Sequence, residues 1–178
     1  MSSSGHWNPQ TQKWSSGGNL TGTVFSAAAT GNQLNASVSG DALYLQGDAL
    51  KGAVVRGGLM FDSCVNTSVY KGVSFRLGGS LGGTTASVQL ETASQLPTAQ
   101  GGGCSGATCN LFPNKALTMS GDTITILFSG MEGTGSPSTA SDMAKEIVGV
   151  AWKFECPANA SSNCAGISTS IYNVSFVQ

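Results

Sequence analysis

Ile147-Val148-Gly149-Val150-Ala151-Trp152-Lys153-Phe154-Glu155 decides how this chain folds. Its side chains alternate in character. Val148, Val150, Trp152 and Phe154 fall on one side, and Gly149, Ala151, Lys153 and Glu155 on the other. Successive strand side chains point to opposite faces, so the stretch predicts a strand with one buried and one open face. Two further stretches repeat the pattern. In 72–77, Val73, Phe75 and Leu77 point in while Ser74 and Arg76 point out. In 87–91, Val88 and Leu90 point in while Gln89 and Glu91 point out. The expected outward set is Arg76, Gln89, Glu91, Lys153 and Glu155, lining one face of a sheet.

Working outward, the same signals recur along the chain. Segments 19–30 and 33–39 read as strands around the Gly31-Asn32 turn. In 42–48, Leu43 and Leu45 turn inward and Tyr44 and Gln46 outward; 53–61 is an apolar strand in which Gly57-Gly58 suggests a bulge. Residues 95–114 form a long irregular loop, 122–131 a strand with Ile124, Ile126 and Phe128 inward, and 132–141 a Gly/Ser/Pro/Thr linker. Residues 142–146 are the one helix-like turn, and 170–178 close the chain as a strand. Many short strands separated by turn signals mean an all-β chain, folded as a two-sheet antiparallel β-sandwich of the jelly-roll kind. Residues 1–18 are read as a polar N-terminal segment, partly tag-derived, and 19–178 as a single β-sandwich domain. Gly5, Pro9, Gly17 and Gly18 argue against a helix across Trp7 and Trp14. Those two indoles are expected to plug the edge of the core.

Composition removes several classes of function. The 178 residues suffice for one domain with a substantial core. Charged residues make up 10% of the chain and the net charge is -1, which offers no electrostatic footprint for nucleic acid or an anionic membrane. No apolar run is long enough to span a bilayer. Met1 opens onto Ser-Ser-Ser-Gly-His-Trp without the apolar core of a leader. The cysteines nevertheless point to a secreted protein whose leader has been replaced. Cys104/Cys109 and Cys156/Cys164 are close pairs in loop-like stretches, read as two short disulfides; their spacing does not suit a zinc knuckle. Cys64 is left over, as a buried thiol or as a partner for one of the pairs. Five Asn-x-Ser/Thr sequons, at Asn19, Asn35, Asn66, Asn159 and Asn173, permit glycosylation in a eukaryotic source.

Phosphate-binding, dinucleotide-binding, zinc-protease and nucleophile-elbow motifs are all absent from the sequence. His6 is the single histidine, so neither a serine triad nor a cysteine nucleophile has a nearby base. Glu91 and Glu155 stand at outward positions of core strands. As a carboxylate pair they would serve a jelly-roll glycoside hydrolase or polysaccharide lyase. The other reading is a polar face that hydrogen-bonds sugar hydroxyls through Arg76, Gln89, Glu91, Lys153 and Glu155, with Tyr44 as a stacking platform.

Four motifs carry a family resemblance. They are Tyr70-Lys71-Gly72-Val73-Ser74-Phe75, Ser87-Val88-Gln89-Leu90, Ile147 to Phe154, and Ile171-Tyr172-Asn173-Val174-Ser175-Phe176. In this order, over about residues 40 to 178, the chain resembles galactose-binding-like jelly-roll carbohydrate-binding modules. It is similar to family 11 and to the related modules of myxobacteria. The resemblance implies a non-catalytic module that binds β-glucan-type polysaccharide on a concave sheet face. It also implies a secreted monomer, an appended polysaccharide-degrading domain in the full protein, and one structural calcium ion. Tyr172 and Asn173 depart from the acidic residue usual in the last motif, which leaves Asp41, Asp48 and Asp62 as the candidate calcium ligands.

Overall fold

The computed structural model describes residues 3–16, 20–65, 67–106, 109–133 and 139–178. The Cys64 side chain and the sequon residues Asn19 and Asn66 lie outside the described residues. The described strands are β1 (Ser3–Asn8), β2 (Lys13–Ser16), β3 (Thr21–Ala28), β4 (Gln33–Ser39), β5 (Ala42–Ala49) and β6 (Val54–Val65). The second half of the chain adds β7 (Gly72–Ser80), β8 (Thr85–Thr92), β9 (Asn114–Leu117), β10 (Thr123–Leu127), β11 (Ile147–Glu155) and β12 (Cys164–Val177). One helical turn, α1 (Ala140–Met143), precedes β11. It starts two residues before the expected turn because the Thr139 side chain caps it, accepting from the Asp142 N–H.

The strands form two antiparallel sheets packed as a sandwich. The first runs β4-β5-β12-β7-β10, and the second β2-β3-β6-β11-β8-β9. Strand β1 joins them. Ser3 and Ser4 pair with Phe176 and Ser175 in the first sheet, while Gly5 to Asn8 pair with β2 in the second. Trp7 and Trp14 both bury their rings in the core, as expected of edge plugs. Gly5 is glycine for a visible reason: a Cβ there would lie 2.0 Å from the Trp14 indole.

The core is what the alternation predicts. Val73, Phe75 and Leu77 of β7 face Val88, Leu90, Val150, Trp152 and Phe154 of the other sheet, all completely buried. Phe75 meets Trp152 edge-on across the sandwich, with ring centroids 5.2 Å apart. Two local expectations need correction. A bulge between Ile147 and Gly149 leaves Ile147 fully buried and Val148 only half-buried. Gly57-Gly58 is not a bulge, because both residues pair in register with β3 and β11. Gly58 is there for close approach: its Cβ would sit 2.2 Å from the Val150 carbonyl oxygen.

Both expected disulfides, Cys104–Cys109 and Cys156–Cys164, are formed. The second closes the turn between β11 and β12. No helix among the described residues is long and apolar enough to cross a membrane.

Candidate functional site

The expected outward residues do not share one face. Tyr44 and Arg76 stand on β5 and β7 of the first sheet; Gln89, Glu91, Lys153 and Glu155 stand on β8 and β11 of the second. Period-two patterning fixes the side of a strand on which a residue lies. It does not fix the sheet into which the strand is built.

On the second sheet, registration builds the outer face row by row. Phe25, Gly58, Ala151, Gln89 and Asn114 lie side by side on five neighbouring strands. The next row is Ala27, Arg56, Lys153, Ser87 and Ala116. Gly58, Ala151 and Ser87 are small and make a low floor. A depression of about 230 Å³, lined by Ala27, Ala28, Ala29, Val54 and Arg56, continues it toward β3.

Arg56 is the centre of this face. Its Nη1 donates to Glu91 Oε1 over 2.8 Å. Its guanidinium carbon lies 5.2 Å from the Phe112 ring centroid and 6.0 Å from that of Phe25. Glu91 is completely buried, and its Oε2 has no hydrogen-bond partner. Burial pushes the Glu91 carboxyl above its ordinary value, against the opposing pull of Arg56. Glu91 therefore lies on the expected face but is not open to solvent. Gln89 is buried as well, whereas Lys153 and Glu155 pair with each other over 2.9 Å at the surface.

The two glutamates are not a catalytic pair. Glu91 stands opposite Gly149 and Glu155 opposite Thr85, at the two ends of the β8–β11 ladder. At strand rise, that places them roughly 20 Å apart. Glycosidase carboxylates work at about 5–9.5 Å.

Sequence reasoning missed Arg56, Phe25, Phe112 and Asn114. Arg56 had a usable signal, since it occupies an outward position between Val55 and Gly57, which face the core. Phe112 had none, because it reaches the face from the irregular loop before β9.

The aspartates suggested as calcium ligands are dispersed and engaged. Asp41 accepts from the Trp7 N–H, Asp48 from the Gly166 N–H, and Asp62 from Thr21 and Lys13. Among the described residues no three of His, Cys, Asp and Glu converge. Asp41, Asp48 and Asp62 therefore do not form one shared ligand set.

On the first sheet, Tyr44 and Arg76 gather round Tyr172 of β12. Tyr172 pairs with Arg76, and its neighbour Ser170 with Tyr44. Tyr172 raises the pKa of Tyr44, while Ser170 and Tyr44 lower that of Tyr172.

Solved structures share this architecture. The family 11 carbohydrate-binding module of a cellulosomal cellulase of Clostridium thermocellum matches with a TM-score of 0.60 at 11% identity, over 86% of this chain and 86% of that one. The family 11 module from Clostridium thermocellum in complex with a β-1,3-1,4-mixed-linked tetrasaccharide matches with a TM-score of 0.58 at 10% identity, over 86% and 88% of the two chains. The likeness is one of fold, the jelly roll of carbohydrate-binding modules. No family model and no curated protein matches the sequence.

Proposed function

We propose that this domain is a non-catalytic carbohydrate-binding module that takes a neutral polysaccharide chain of β-glucan type along the outer face of its second sheet. The observation that carries the reading is the guanidinium of Arg56, held by a buried carboxylate between two aromatic rings above a floor of small residues. Each part suits a sugar. Phe25 offers apolar surface to pyranose C–H faces, backed by the buried Phe112 ring on the other side of Arg56, and Arg56, Asn114 and Lys153 offer directed hydrogen bonds to hydroxyls.

The face is electrically balanced, because Arg56 pairs with Glu91 and Lys153 with Glu155. That balance suits a neutral chain. The fold likeness to a module solved with a mixed-linked glucan fragment supports the same ligand class. The disulfides agree with an extracellular setting, and a module of this size would serve a polysaccharide-degrading partner domain.

Affinity electrophoresis through mixed-linked β-glucan, with reducing ends assayed in parallel, tests the reading. Retardation without sugar release is expected. Phe25→Ala and Lys153→Gln, shown to be folded by their melting curves, should weaken it. Retardation unchanged in both variants, or steady release of reducing ends, would overturn it.

A further inference from the structure

We propose that the outer face of the first sheet carries a second glycan site, specific for a uronic-acid chain, in which Arg76 takes the sugar carboxylate and Tyr44 and Tyr172 support the ring. This site is independent of the groove above, since the two faces look outward on opposite sides of the core.

Three observations carry it. The first is charge. Of the eight lysines and arginines, five pair with carboxylates. Of the other three, Lys51 lies in a turn and Lys71 precedes β7, so Arg76 alone stands on a sheet face. Among the described residues it has no carboxylate partner; its Nη2 donates only to the Gly121 carbonyl, over 3.3 Å. Guanidinium donors match a carboxylate in a planar, bidentate fork, so an anionic sugar supplies what this face lacks.

The second is the aromatic pair. Tyr44 and Tyr172 are half-buried neighbours on one face, with Ser170 registered opposite Tyr44 and two residues before Tyr172 on β12. Strand pairing fixes both backbones before any ligand arrives, which lowers the entropic cost of binding. A Cβ at Gly78 would meet the Ser170 Oγ at 3.2 Å and lie 4.0 Å from the Tyr172 ring, so the glycine borders this face beside both residues.

The third is the surround. Ser37, Gln46, Ser168 and Ser170 occupy neighbouring outward positions on β4, β5 and β12. They give the hydroxyl and amide partners that sugar hydroxyls need, without adding charge.

The test runs the intact protein through gels containing polygalacturonate, neutral mixed-linked β-glucan or poly-L-glutamate. Wild type should be retarded by polygalacturonate and not by poly-L-glutamate. Arg76→Gln should lose about tenfold in polygalacturonate affinity, the scale of one charge-assisted contact. Tyr172→Ala should also weaken it, while the groove variant Lys153→Gln should not. Melting curves establish that each variant is folded. The proposal is overturned if polygalacturonate fails to retard wild type, if Arg76→Gln binds it unchanged, or if poly-L-glutamate retards equally. Binding to polygalacturonate without binding to β-glucan would sink the groove reading and leave this one standing.

Discussion

Arg56 reaches Glu91 across an intervening strand. The two residues belong to β6 and β8, with β11 between them, yet Nη1 and Oε1 are 2.8 Å apart. Arg56 is registered with Lys153 and Glu91 with Gly149, so the ion pair runs diagonally over Ala151. Residues 149 and 151 of β11 are small because the bridge lies over them.

The bridge is asymmetric, and its members should not cost the same to remove. Arg56 keeps 19% of its side chain exposed, whereas Glu91 keeps none. Arg56→Met leaves a buried carboxylate without its partner and should cost about 2–3 kcal/mol, somewhat below the full price of breaking a buried pair. Glu91→Leu leaves a guanidinium that water can reach, and should cost less. The double variant should be more stable than Arg56→Met alone. Denaturant melts of the three proteins check this, and a larger loss for Glu91→Leu than for Arg56→Met would contradict it.

Glu91 also sets a pH dependence. Burial, outweighing Arg56, holds its folded-state pKa above the unfolded value. Its contribution to stability is therefore complete below the ordinary glutamate range and is lost as pH rises through the folded pKa. Asp62 and Asp142 act in the opposite sense. The Thr21 hydroxyl lowers the first and the Thr139 hydroxyl the second, so their contributions are lost in acid. Comparison with Glu91→Gln cancels those two. The Tm of wild type minus that of Glu91→Gln should grow as pH falls from neutral toward the glutamate range. A difference that shrinks would reverse the assignment.

Much of the fold was legible because strand alternation is a local property. The strands through Phe75, Leu90, Trp152 and Phe154 were readable from side chains alone, and all four are buried. What alternation lacks is the partner strand. Arg76 and Lys153 carry the same signal in sequence, yet they stand on opposite sides of the sandwich. Strands β1 and β2 were illegible for another reason. Their apolar content is little more than one tryptophan each, and the Gly5 that accommodates Trp14 reads as a turn residue until the ring is seen above it. The candidate groove was half visible. Its strand residues followed from register, but Phe112 arrives from a loop, and a buried glutamate on an open face shows only once Arg56 covers it.

If the groove floor must stay low, enlarging it should act on binding more than on the core. Ala151 is buried on the outer face, beneath the ion pair. Ala151→Leu should displace Arg56 from Glu91, reduce β-glucan retardation by roughly tenfold, and cost about 1–3 kcal/mol from crowding. Retained affinity in the folded variant would mean that the chain does not pass over β11.

The tyrosine pair of the first sheet predicts a split titration. Ser170 and Tyr44 stabilise the Tyr172 phenolate by hydrogen bonds, with Arg76 adding attraction, so Tyr172 ionises below the usual tyrosine range. The bond to Tyr172 holds Tyr44 above it. Phenolate absorbance followed into alkali should therefore show an early and a late ionisation. In Tyr172→Phe the early one should vanish and the late one should move earlier. A late phase that does not move would show that Tyr44 is held by something other than Tyr172.

The two disulfides should open in a fixed order. By loop length alone they are nearly equal, since the sequence separations of 5 and 8 correspond to roughly 2 and 2.5 kcal/mol of chain entropy. Their surroundings differ far more. Cys156 and Cys164 are buried, and the Cys156 backbone bonds to Gly52 and Ala53 in the turn before β6. Cys104 and Cys109 are half-buried in a loop. A reducing thiolate must reach the sulfur it attacks, so limited reduction followed by alkylation and peptide mass mapping should label Cys104 and Cys109 first. Opening Cys156–Cys164 frees the joint between β11 and β12, each the central partner of its sheet. Cys156→Ala/Cys164→Ala should therefore lower the Tm more than Cys104→Ala/Cys109→Ala. Simultaneous labelling of all four cysteines would mean that reduction proceeds through global unfolding rather than through access to the loop.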